Sequence, residues 1–100
     1  MRVRVYEARS SVFRATVVNA ARHVRVRDEL ARSRNDMREQ FELQFAPELA
    51  ARKRADRERL LAAGDLVSQL HSINYLRRDR ELSVREVESI LTTTLRSLFT

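Results

Sequence analysis

A chain of 100 residues has room for one small domain, residues 1–100 taken whole, and no second core. A hydrophobic content of 43%, one Gly, one Pro and an abundance of Ala, Leu, Arg and Glu point to an all-α fold and exclude disordered or turn-rich β architectures. The absence of Cys excludes disulfide frameworks, thiolate metal sites and cysteine nucleophiles, while the net charge of +6 raises the question of nucleic acid.

Four amphipathic segments predict an antiparallel bundle of about four main helices. The first, near residues 5–23, places Tyr6, Phe13, Val17, Ala20 and Val24 on one face. The second, near 26–45, carries Val26, Leu30, Met37, Phe41 and Phe45, with Arg34 interrupting the stripe. Pro47 removes a backbone donor and disfavours the helical region at Ala46, so the helix should end there; a short turn can restart at Pro47.

The third segment, near 56–79, takes Asp56 as its N-cap. Leu60, Val67 and Asn74 mark one edge of a wide apolar arc that Ala63, Leu66, Leu70 and Ile73 extend, which predicts cover on two sides. In so small a chain the second cover should be another subunit. Gly64, alone in mid-helix, suggests a close approach by a neighbouring helix. In the fourth segment, near 83–99, Ser83-Val84-Arg85-Glu86 is an S-x-x-E capping box. Behind it run Val84, Val87, Leu91, Thr94, Leu95 and Leu98, with Ile90 at the edge, and Leu82 is placed to staple onto Val87.

The positive charge is spread evenly: each half of the chain carries ten basic and seven acidic side chains, and every base but Lys53 is Arg. The densest stretch, Arg52 to Arg59, is interleaved with acids and reads as a solvated connection. No apolar run approaches the roughly 20 residues of a membrane span, and the start shows no secretory signal, so a cytoplasmic location is expected, without a membrane partner. There is no Ser–His–Asp set, phosphate loop or paired-His motif; no enzyme activity, metal or cofactor is expected. His23 should complement the dipole at the end of the first helix. His71 shares a face with Leu60, Gly64, Val67 and Asn74 and reads as a hydrogen-bonded interior histidine or an effector contact.

Three stretches carry a family resemblance. They are Phe13-Arg14-Ala15-Thr16-Val17 with Ala20-Ala21-Arg22-His23, Met37 to Ala50 across Pro47, and Leu76-Arg77-Arg78-Asp79-Arg80-Glu81-Leu82-Ser83 with Leu91 to Leu98. From about Tyr6 to Phe99 this order of segments resembles the C-terminal regulatory domain of TetR-type transcriptional repressors. The resemblance implies an effector site inside the bundle and a homodimer built on the last two helices. It also implies a helix-turn-helix head for DNA; this sequence opens almost directly in the regulatory domain, so DNA should be reached only through a head lacking here.

On that reading a small apolar effector should meet Phe13, Val17, Met37, Phe41, Val67, His71 and Asn74, although the aromatic and Met positions equally suit a plain core. The dimer interface should use Leu66, Leu70, Ile73, Val87, Ile90, Leu91, Thr94, Leu95 and Leu98. The alternatives are a basic helical module that contacts nucleic acid directly and a purely structural helical dimer.

Overall fold

A computed structural model describes residues 2–100. Among them there is no strand: six α-helices and one π-helical turn account for the regular structure. Helix α1 (Arg2–Ala20) and α2 (Val24–Gln44) are followed by the short α3 (Ala46–Ala50), then α4 (Arg54–Ser68), α5 (Leu70–Asn74) running into a π turn (Tyr75–Asp79), and α6 (Val84–Leu98).

The first helix ends earlier than its stripe suggested. The N–H groups of Arg22 and His23 both donate to Asn19 O, at 2.9 and 3.0 Å, and close α1 at Ala20. His23, in extended conformation, is the N-cap of α2 and lies beyond the last residue of α1. Val24 accordingly belongs to α2 and is exposed. The second break falls at Phe45 (φ −106°, ψ 20°), one residue before the expected point, and Ala46 is already helical. Pro47 then occupies the first turn of α3, where a missing N–H costs nothing.

Lys53, and not Asp56, caps α4; Asp56 lies inside the first turn, where a carboxylate still complements the dipole. The larger correction concerns residues 56–79, which do not form one helix. Gln69 turns extended (φ −67°, ψ 151°) and separates α4 from α5. The carbonyls released there find side chains: Ser72 Oγ donates to Leu66 O at 2.6 Å, and Arg2 Nη1 donates to Ser68 O at 2.9 Å. Gln69 Nε2 in turn donates to Asp65 Oδ1 at 2.7 Å and to Arg34 O at 3.2 Å. The break thereby keeps partners for two of the carbonyls it releases.

The break lets α5 turn onto α1 and α6. Ile73 joins Val3, Tyr6 and Val87 in one buried cluster, against which Phe13, Leu70, Leu82 and Leu91 pack. Tyr6 Oη donates to Asn74 Oδ1 at 2.5 Å, so the one polar atom of that ring is satisfied. The second cluster, Phe41, Leu49 and Leu61, is closed by Phe45, Leu95 and Phe99. Gly64 belongs to this region: the Phe41 ring lies directly on its backbone, the close approach expected of a mid-helix glycine.

Helix α6 begins as its motif requires. Ser83 Oγ accepts from Glu86 N at 3.1 Å and Ser83 N donates to Glu86 Oε1 at 3.0 Å. Just before it, Glu81 adopts a left-handed φ of 55°, and Leu82 N donates to Leu76 O at 3.0 Å. Arg77 ties this turn down by donating from Nε to Glu7 Oε1 on α1 and from Nη1 to Leu82 O at 2.6 Å. The Arg77 guanidinium holds the Glu7 carboxyl below its ordinary pKa, and Glu7 raises that of Arg77.

The result is a slab of 41 × 31 × 17 Å, two helix layers thick. Its radius of gyration, 14.5 Å, exceeds the roughly 13 Å of an average 100-residue domain. A thin slab covers few side chains on every side, which is why only seven hydrophobic residues among those described are buried.

Candidate functional site

Two concavities flank α6, and its amphipathic pattern makes both. Val87 points into the first buried cluster. On one side of it, Ile90, Leu91 and Thr94 face α4, α5 and the π turn; on the other, Leu91, Thr92 and Leu95 face α2.

The first concavity is an open groove of about 490 Å³ between α4–α5 and α6. Its walls are Leu66, Val67, His71, Tyr75, Ile90 and Thr94. Leu66 is 68% exposed, Tyr75 52% and Ile90 39%. Large apolar side chains left this open and contiguous mark a surface that gains from being covered.

His71 forms the polar edge of the groove. Arg34 Nη2 donates to His71 Nε2 at 2.8 Å, and Phe13 meets the imidazole edge-on at 5.0 Å between centroids. A guanidinium has no acceptor, so the contacted ring nitrogen carries no proton. Partial burial, and then the Arg34 charge, both lower the His71 pKa, which keeps the ring neutral at pH 7. The arginine that interrupts the α2 stripe thus reaches across to orient this histidine.

The second concavity is a cleft between α2 and α6. Its inner part, about 290 Å³, is bounded by Arg2, Phe41, Ser68, Glu88 and Leu91. Its outer part, about 490 Å³, reaches Phe99 and Arg96; the two parts share Gln44, Phe45, Thr92 and Leu95. Phe45 stacks on Phe99 at 4.9 Å and meets Phe41 at a tilt at 4.6 Å, and the three rings form its aromatic wall.

The residues expected around one effector are not gathered at one place. Phe41 lines the inner cleft, whereas Val67 and His71 line the groove. Phe13 and Asn74 are engaged in the first core cluster, through ring packing and the Tyr6 hydrogen bond respectively. Val17 and Met37 are half-buried and bound neither concavity; the Met37 carbonyl accepts from Arg2 Nη2 at 2.6 Å.

Of the positions expected at a dimer interface, Ile73 and Val87 are corrected: both are 0% exposed, buried in the chain's own core. The turn at Gln69 rotates Ile73 inward, and Val87 is the residue of α6 that meets it. Leu70 is half-buried against the same cluster, as Leu95 is against the second. Leu66, Ile90, Leu91 and Thr94 do converge on the groove, and Leu98 is half-buried beyond it.

Arg2, Ser68, Glu88 and Thr92 in the cleft and Tyr75 in the groove escaped the sequence reading. Tyr75 carried a signal, an aromatic one residue beyond Asn74; Arg2 carried none, because its partners lie 35 and 66 residues away. Among the described residues no three His, Asp or Glu side chains converge to hold a metal ion, and no helix is long and apolar enough to cross a membrane. No protein-family model matches this chain, and neither does any curated protein or solved structure.

Proposed function

We propose that this chain is the dimerisation and effector-sensing domain of a TetR-type transcriptional regulator. The single observation that carries the reading is the apolar groove along α4, α5 and α6, with Leu66, Tyr75 and Ile90 open to solvent. Pairing two copies along it would bring the last helices of each subunit into a shared bundle and thicken a slab otherwise only 17 Å deep. The cleft on the opposite flank of α6 supplies the effector site. Leu91 borders both concavities, so an occupant of the cleft presses on the helix that forms the interface. Operator contact belongs, in this reading, to a helix-turn-helix head outside residues 1–100.

Light scattering of residues 1–100 tests the proposal. The wild-type chain should be a dimer at micromolar concentration. Leu66→Arg and Ile90→Arg, substitutions of exposed groove residues that leave both core clusters untouched, should yield monomers with an unchanged helical circular dichroism spectrum. A wild-type monomer would overturn the reading.

A further inference from the structure

We propose that the cleft between α2 and α6 takes an amphiphilic monocarboxylate, its carboxylate against Arg2 and its hydrocarbon chain along Phe45, Leu95 and Phe99. The inference deepens the effector-site reading above and rests on it.

Arg2 is the starting point. Its guanidinium is half-buried at the inner end of the cleft, donates to the carbonyls of Ser68 and Met37, and has no carboxylate within 4.0 Å among the described residues. Of its five N–H donors two are spent on those carbonyls, and three remain for an incoming acceptor. Desolvation disfavours the charged form of this arginine; the charge of Asp65, which also accepts from Gln69 Nε2 at 2.7 Å, offsets that cost only in part. A cation partly stripped of water and lacking an ion-pair partner gains more from an anionic ligand than a surface arginine would.

The shape of the cleft selects the rest of the molecule. The inner and outer parts adjoin at Gln44, Phe45, Thr92 and Leu95, so their linings run from Arg2 past aromatic and leucine side chains to Phe99. A guanidinium at the inner end followed by the more apolar outer part matches a chain ended by one carboxylate. Glu88 also faces the inner cleft, with Arg4 Nε 3.9 Å away. One carboxylate opposite one guanidinium admits a monoanion and penalises a phosphate dianion. At the outer rim Glu48 and Arg96 offset one another.

Calorimetric titration with decanoate, decanol and decylamine, all below their micellar concentrations, tests the assignment. Decanoate should bind about tenfold or more tightly than decanol, the ratio expected of a charge-assisted pair in a partly buried site. Decylamine should bind more weakly than either. Arg2→Gln should erase the preference for decanoate over decanol. Because Arg2 also bridges two carbonyls, Glu88→Gln provides a second reading at a side chain whose ion pair is long and exposed: decanoate affinity should rise while decanol affinity stays the same. Decanol or decylamine binding as tightly as decanoate, the absence of binding by any of the three, or a Glu88→Gln variant that leaves the ratio unchanged would overturn the proposal. Light scattering of the same samples separates the two readings. A dimer without decanoate affinity refutes the ligand class alone, and a monomer refutes the regulator reading whatever it binds.

Discussion

Replacing Gly64 by Ala should destabilise the chain, the reverse of its effect in an open helix, because the Phe41 ring lies on the α4 backbone. In an open helix interior the change stabilises by about 1 kcal/mol, because Gly is the poorer helix former. Here a Cβ at position 64 would overlap Cζ and both Cε atoms of Phe41. The ring cannot swing clear: it is 2% exposed and backed by Phe45 at 4.6 Å and Phe99 at 6.3 Å between centroids. Overpacking of a filled core costs about 1–3 kcal/mol and sits at the upper end when several atoms collide. With about 3 kcal/mol of overlap against about 1 kcal/mol of propensity, Gly64→Ala should lose about 2 kcal/mol. In a domain of this size that lowers Tm by roughly 8–16 °C. Thermal and urea melts followed by circular dichroism measure it, with Ala62→Gly on the exposed face of the same helix as a control for propensity alone. In a Phe41→Leu background, which removes the colliding ring atoms, Gly64→Ala should become neutral or stabilising by up to about 1 kcal/mol. A Gly64→Ala single variant as stable as the wild type would refute the packing described for the second core cluster.

Three further outcomes are expected. Glu81→Gly should stabilise by about 0.5–1 kcal/mol in a urea melt, since φ 55° strains any side chain with a Cβ and Gly gives part of that back through its freer unfolded state. Ser83→Ala removes the hydroxyl that accepts from Glu86 N and should cost about 1 kcal/mol, with most of the loss restored by Ser83→Asp. The Glu7 carboxyl titrates lower in the folded chain than in the unfolded one because Arg77 donates to it. Its contribution is therefore complete above the unfolded carboxylate value of about 4.3 and is lost as pH falls through the folded value. Tm measured between neutral pH and pH 3 should fall less steeply in Glu7→Gln than in the wild type, and parallel curves would refute the pair's role.

Local chemistry was legible in the residues themselves. The Ser83–Glu86 box, the break near Pro47 and the stripe of α6 each depend on groups within a few positions of one another, so spacing alone specifies them. Gly64 was legible in kind, because a helix interior keeps a glycine mainly where something must come close; that the visitor is Phe41 was not. The split at Gln69 left no local mark. It exists because Arg2, 66 residues away, takes the Ser68 carbonyl, and because turning α5 there buries Ile73 against Val3, Tyr6 and Val87. The candidate site follows the same division. A helical stripe states which side chains share a face; Leu66, Ile90, Leu91 and Thr94, grouped on that basis for an interface, line one groove, while Ile73 and Val87, grouped with them, lie inside. Which part of a stripe meets the chain's own core, and which is left open, depends on the angle at which helices cross. That angle is set by side chains distant in sequence, and only the tertiary structure decides it.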